Sequence, residues 1–436
     1  MPTASQSATT SSARALTYSA YISFIPIGIA TVLLGPMLPS LSERWSLNYA
    51  QAGALFNAQY VASTVAVGVS GLLAARWGFR FVMKIGLVLM AAGLALLLSG
   101  SKLVGIFSIA AYGGGLGLAV PPANLLVAAV NPTHRSARLN LLNFFWSMGA
   151  VACPFFVAAA AKTQHIPLFL ACVAGFSIAV AIGIALMPAR IVEPAATRDT
   201  EPTITLVRTK PGIFLILAIL FLLYVGVENS FGQWMASYSK SLGSLTLAMA
   251  LATPAFFYAS LMVGRWMAPV LLRLIDEVKL VQVGLLLACA GMTGLMLSHQ
   301  LAGVATSACA AGLGLASVYP ITIALLPREF GSASTKLGSI MFVLSNIGGG
   351  LLPSMVGVAS DRAGTIRAGL FVPLIGCMVM FALYFRQWSP VGGSTTAIGS
   401  DLGGQSLPPA EPGAPDDKAG RAAPAGALPP TLPDRE

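Results

Sequence analysis

The sequence predicts an all-α membrane protein of twelve transmembrane helices, built as two six-helix pseudo-repeat bundles. Three observations carry that expectation. Of 436 residues, 56% are hydrophobic and only 9% charged, against about 25% charged in soluble globular chains. Apolar stretches close to the roughly 20 residues that cross a bilayer core recur from about Leu16 to Phe385. Short signals in the first half also return in the second at an almost constant offset.

Residues 1–15 are rich in Ser and Thr and are expected to form a disordered cytoplasmic N-terminus. Twelve apolar segments then predict spans at 16–41, 50–75, 81–100, 103–130, 139–161, 166–188, 212–238, 247–273, 279–298, 301–326, 335–359 and 367–386. The first is too long for the apolar core of a signal peptide and lacks a convincing cleavage site. The longest polar interruption, ARIVEPAATRDTEPTITLVRTKP at about 189–211, is expected to be a cytoplasmic linker between halves 16–188 and 212–386. Over 387–436 the chain turns rich in Pro, Gly and Ala, a composition that buries too little apolar surface to order itself.

Charge placement sets the orientation. Fifteen Lys and Arg fall in the loops and ends of one side and six on the other, which puts both termini in the cytoplasm by the positive-inside bias. The formal charge of +10 is therefore topological, and nucleic acid drops out as a partner; the lipid bilayer takes its place. Cys153, Cys172, Cys289, Cys309 and Cys377 all lie within apolar stretches at no metal-like spacing. They read as buried free thiols.

The repeat signals are specific. GLGLA occurs at Gly115–Ala119 and at Gly312–Ala316, 197 positions apart. Gly149 precedes Pro154 by five residues in span 5, as Gly348 precedes Pro353 in span 11, 199 positions on. Spans 2 and 8 match loosely through Gly68 and Gly264, each followed by a basic residue, Arg76 or Arg273. An internal repeat of six spans marks secondary transporters. Glycines in AYGGGLGLA and NIGGGLLP let backbones approach closely where lipid leaves little hydrophobic force between helices. Such faces could slide as the halves rock or be statically packed.

GLLAARWGFR, Gly71–Arg80, resembles the loop signature of the major facilitator superfamily, Gly-x-Leu-Ala-Asp-Arg-x-Gly-Arg-Lys. Gly71, Leu73, Ala74, Arg76 and Gly78 match; Ala75 stands in place of the Asp and Phe79 in place of a basic residue. LLGPMLPSL, YVGVENSFGQWMASY and SNIGGGLLPSMVGVASDRAG resemble its fucose-permease or sugar-permease branch. The likeness covers about 16–386. It implies the major facilitator fold, a small-molecule substrate and a bacterial inner membrane, and gives Gly71, Arg76 and Gly78 gating or structural roles. A monomer without a cofactor is expected. Proton-coupled members of the branch carry carboxylates in spans 1 and 4, and this sequence has none there.

Two ionisable residues fall at membrane depth, Glu228 in span 7 and Arg265 in span 8. A charge there costs about 2.5–3.5 kcal/mol even on the mildest scale, so each needs a cavity or a partner. Counted from Pro211 at about 1.5 Å per residue, Glu228 lies roughly 26 Å in; Arg265 lies about 12 Å from Arg273. A direct pair between them looks awkward at those depths, and Arg265 reads as gating or structural, bonding helix-end carbonyls or snorkelling. Glu228 reads either as a pathway group that binds substrate or exchanges a proton, or as a structural Glu.

Uncharged polar groups form a second set. Asn140, Asn143 and Ser147 share one face of span 5, and Asn229 and Gln233 form a stripe on span 7 with Trp234 beside it. Asn346 on span 11 is the repeat partner of Ser147; Gln59 on span 2, Asn124 on span 4 and Tyr319 on span 10 complete the candidates. Amides and hydroxyls suit sugar hydroxyls and aromatic faces suit C–H surface, while hydrogen bonding between helices is the plainer role for any one of them. His134, His165 and His299 fall near loops, and no Walker loop, Ser/His/Asp set or metal constellation is present at membrane depth. An enzyme is not expected. The expected function is secondary active or facilitative transport of a small neutral polar solute, sugar-like, by alternating access, with coupling to protons open. The alternatives are a drug or metabolite efflux antiporter, weakened by the lone carboxylate, and a non-transporting nutrient sensor.

Overall fold

A computed structural model describes residues 4–131, 135–187, 210–330 and 334–388. Those residues form twelve helices long and apolar enough to cross a membrane and no strand. We number the spans in order: α1 (Ala4–Val32, continued as Leu34–Trp45), α2 (Tyr49–Trp77), α3 (Phe79–Leu96), α4 (Lys102–Val130), α5 (Arg135–Lys162) and α6 (Ile166–Ala185). The second bundle comprises α7 (Pro211–Ser241), α8 (Leu247–Ala252 and Pro254–Leu271), α9 (Glu277–Leu297), α10 (Leu301–Leu315 and Val318–Phe330), α11 (Ser334–Ala363) and α12 (Ile366–Gly369 and Phe371–Trp388).

The helix of α1 begins at Ala4, which corrects the disorder expected for residues 1–15 over all but the first three. Lengthening an existing helix avoids the cost of nucleating a new one, so even Ser- and Thr-containing turns can join it. Most of the expected linker, residues 189–209, and the tail from 389 onward lie outside the described residues. At Gly78 the chain turns from α2 into α3 with φ +84°, a region where a Cβ is strained. The signature glycine therefore has a backbone reason. Arg80 then donates to the carbonyls of Ile184 and Met187 at 3.0 and 2.8 Å, capping the end of α6, whose last carbonyls have no partner within the helix.

Close packing reveals the register of the duplication. A Cβ on Gly113 of α4 would collide with Gln59 of α2, and one on Gly115 with Gly86 and Met90 of α3. In the second bundle Gly312 of α10 meets Phe257 and Ser260 of α8, and Gly314 meets Gly284 and Ala288 of α9. The equivalent pairs are thus Gly113 with Gly312 and Gly115 with Gly314, both 199 positions apart. Gly149 against Ile25 of α1 and Gly348 against Leu222 of α7 keep the same offset. The repeated GLGLA word, at 197, is two residues out of that register. Its helices correspond, but its letters coincide because glycine alternates along both segments.

Along α2 and α11 the two bundles are in close contact at one end, while toward the other three glycines face open space. At the linked end Glu43 and Lys240 form an ion pair, and the Ser354 hydroxyl donates to the Gly53 carbonyl at 3.1 Å. A Cβ on Gly357 would lie 2.5 Å from the Tyr49 carbonyl oxygen and 3.0 Å from the Gly53 Cα. Farther along α2 and α11, among the described residues, the last polar bond between these two helices runs from the Ser63 hydroxyl to Asn346 Oδ1, 3.1 Å. Beyond it Gly68, Gly71 and Gly338 have nothing within 4 Å of an added Cβ. Residues Ala4 and Trp388, the described ends of α1 and α12, belong to the parted end.

Candidate functional site

The polar centre is built mainly on α7. Tyr224 and Glu228, one turn apart, share a helix face and look toward α8, which supplies Arg265. Arg265 Nη2 donates to the Tyr224 hydroxyl at 3.2 Å and to Glu228 Oε1 at 3.4 Å, with side-chain exposures of 21% and 11% for the ion pair. The awkwardness expected of this pair is thereby corrected. At 31 residues, α7 is about 46 Å long, more than a hydrocarbon core of about 30 Å, so depth counted from Pro211 is overstated. Two long side chains cover the rest of the gap. Pairing answers the cost of each charge, since an ion taken from water without a partner is far less stable.

Aromatic rings frame the pair from both bundles. Tyr319 of α10 stacks on Tyr224, centroids 5.1 Å apart and planes at 26°, and stands edge-on to Phe221. From α5 of the other bundle, the Trp146 ring lies with its centroid 5.8 Å from the Arg265 guanidinium carbon, inside the range of cation–π attraction. Trp146 Nε1 in turn donates to Thr31 Oγ1 of α1 at 3.4 Å.

A second layer lies toward the linked end. Gln233 Nε2 donates to Asn229 Oδ1 at 2.9 Å, and Asn229 Nδ2 to the Val225 carbonyl; the Tyr60 phenol of α2 lies beside both amides. Gln59 donates to the Thr31 carbonyl and accepts from the Tyr112 hydroxyl, each at 3.3 Å. Two buried polar atoms here, Gln233 Oε1 and the Tyr258 hydroxyl, have no protein partner. Such atoms are costly unless something bonds them, and a hydroxylated solute offers what they lack.

The remaining candidates make other contacts. Trp234, 1% exposed, donates to the Pro353 carbonyl at 2.9 Å and packs against Phe56, so it belongs to the seal between bundles. Asn140 and Asn143 are exposed while Ser147 is buried. Asn143 and Asn124 donate to carbonyls of their own helices, Leu139 and Val120, and Ser147 donates to that of Asn143. Asn346 joins the bundles through Ser63 and donates to Phe342. Exposed Arg76 lies over Trp77, and Gly71 faces open space. Sequence reasoning missed Trp146, Thr31, Tyr112 and Tyr258. Three of these look like ordinary span residues; Tyr258, seven before Arg265 on one helix, carried a signal, because that spacing shares a face.

Comparison with known proteins agrees with this architecture. The family model described as Major Facilitator Superfamily matches residues 20–353. A glucose/galactose transporter of Brucella abortus biovar 1 (strain 9-941) is 26% identical over 397 residues, covering 83% of this chain and 91% of that protein. A TsgA homolog of Yersinia pestis (strain Pestoides F) is 24% identical over 339 residues, covering 76% and 85%. Among solved structures, a D-xylose–proton symporter superposes with a TM-score of 0.72 at 15% identity, over 86% of this chain and 97% of that one. The E. coli fucose:proton symporter, FucP, gives 0.60 at 20% identity, over 86% and 98%. At these identities the structures share the fold.

Proposed function

The chain belongs to the Major Facilitator Superfamily, and from that premise we propose that it moves a small neutral polar solute, sugar-like in its hydroxyls, by alternating access. Membership makes it an integral membrane transporter rather than an enzyme. The observation that carries the solute class is the closed charge pair of Arg265 and Glu228 amid amides and phenols. Its charges cancel, which favours a neutral solute, while Gln233 Oε1 and the Tyr258 hydroxyl offer hydrogen bonds to one. Glucose and galactose, named for the Brucella relative, are the first probes.

In this reading the protein is a monomer in a bacterial inner membrane with both termini cytoplasmic, and the parted end opens to the cytoplasm. Glu228 is the coupling group. A proton placed on its carboxylate removes the charge that holds Arg265, so proton exchange and rearrangement of the site are one event. Uptake of radiolabelled D-glucose and D-galactose into proteoliposomes, with and without an inward proton gradient, tests this. We expect gradient-stimulated uptake that Glu228→Gln abolishes while leaving exchange of the same sugar intact. Uptake indifferent to the gradient would retain transport and remove Glu228 from coupling. Absence of flux for both sugars, with resistance to drugs instead, would favour the efflux antiporter.

A further inference from the structure

We infer that Trp146 is a positioning residue of the transport cycle, carrying the charge state of Glu228 from one bundle to the other through Arg265. This rests on the alternating-access reading above. Arg265 meets both bundles. One edge of its guanidinium is held within the second bundle, at 3.2 Å from the Tyr224 hydroxyl and 3.4 Å from Glu228 Oε1. On the other side stands the Trp146 ring of the first bundle, its centroid 5.8 Å from the guanidinium carbon. Trp146 is itself anchored: its N–H donates to Thr31 Oγ1 at 3.4 Å, and Thr31 donates to the Ile27 carbonyl at 2.7 Å. A Cβ on Gly28 of α1 would collide with the Trp146 carbonyl, so α1 and α5 touch at this level.

These contacts form a relay. Ionised Glu228 and the Tyr224 hydroxyl hold the guanidinium at the Trp146 ring. With Glu228 neutral, half of that grip is lost and the attraction between bundles weakens. The groups facing Glu228 are Tyr224 on its own helix, Arg265 and Tyr258 on α8, Tyr319 on α10 and Tyr60 on α2. Arg265 is the single cation in that set and bonds Glu228 directly, so it answers a change of charge there by moving toward or away from it. The Tyr60 phenol of α2 is a first-bundle hydroxyl that also faces Glu228. Elsewhere the bundles are joined by neutral contacts such as Ser63 with Asn346 and by the exposed pair of Glu43 and Lys240. Neither senses Glu228.

The test uses full-length protein in nanodiscs, its five cysteines replaced by alanine, with nitroxide labels at Leu72→Cys on α2 and Ile340→Cys on α11. Both positions are exposed. Double electron–electron resonance at acidic and alkaline pH reads the fraction of molecules with this end parted, and no solute is needed. The otherwise unsubstituted protein should change that fraction with pH. Trp146→Leu should lower the ratio of parted to closed molecules roughly three- to tenfold and abolish the pH response, whereas Trp146→Phe, which keeps an aromatic face, should restore most of both. Trp146→Leu combined with Glu228→Gln should shift the ratio no further than the larger single change, as for residues in one coupled unit.

A Trp146→Leu protein with an unchanged distribution, or with its pH response intact, would overturn the inference, as would additive effects or an unsubstituted protein indifferent to pH. If Trp146→Leu fails to fold, fluorotryptophan at position 146 keeps the shape and weakens the ring's attraction for a cation. The parted fraction must then fall with each added fluorine; no trend overturns the inference. Because the readout needs no sugar, failure of glucose and galactose flux leaves this result separately legible.

Discussion

Arg265 is stabilised by a partner rather than by water. Two charges taken partly out of solvent gain little net stability as a pair, yet removing one partner strands the other. Arg265→Ala should therefore destabilise the protein by about 2 kcal/mol, less than the ~3–5 of a fully buried pair, because this pair retains some exposure. The double variant Arg265→Met with Glu228→Gln should recover most of that loss. Melting curves in detergent decide it: a double variant no more stable than Arg265→Ala would mean that charge stranding is not the cause. Position on the helix matters as much as chemistry. Gln233 and Trp234 are neighbours in sequence, yet one offers a free oxygen to the centre and the other donates to Pro353 of its own bundle and packs against Phe56 of the other. Successive residues on an α-helix point about 100° apart, so two neighbours can meet different surroundings.

Among elements, the duplicated crossings are the firmest feature. Gly149 with Ile25 and Gly348 with Leu222 put equivalent backbones in contact in the two bundles. Gly149→Ala and Gly348→Ala should each cost about 1–3 kcal/mol through overpacking, and by similar amounts, since the crossings are equivalent. A large loss of thermal stability for one and none for the other would break the equivalence. Gly71→Ala, in open space, is the matched control. The ends of the spans were legible within a few residues from apolar runs and polar breaks, α2 at Tyr49–Trp77 against 50–75 being typical. The helical start of α1 at Ala4 was not, because growth from an existing helix end is not written in local composition.

At the scale of the whole molecule, the linked end is held by backbone proximity more than by charge. Glu43 and Lys240 are exposed enough that such a pair contributes about 0–1 kcal/mol, so Glu43→Gln should leave this end closed. Gly357→Val should open it, since the added carbons have no room against Tyr49 and Gly53. A cysteine replacing buried Ser354 reports the outcome: its reaction with a membrane-impermeant maleimide should rise strongly with Gly357→Val and hardly at all with Glu43→Gln. Equal reactivity in the two variants would show that the glycine contact is not what closes the end.

Membrane class, the number of spans and the presence of two related halves were determined by the sequence alone, because composition, apolar run length and spacing are properties of the chain in one dimension. The candidate site was legible only in part. Glu228 and Arg265 stood out as charges among apolar residues, and Asn229, Gln233, Gln59, Asn346 and Tyr319 were found by type. Which of them meet was decided by the tertiary structure: the ion pair, the stacking of Tyr319 on Tyr224, the place of Trp146 and the true offset of 199. These depend on how deep each helix sits, how it is rotated and how far it extends past the bilayer. Packing between distant segments sets those quantities, and no local stretch of sequence encodes them.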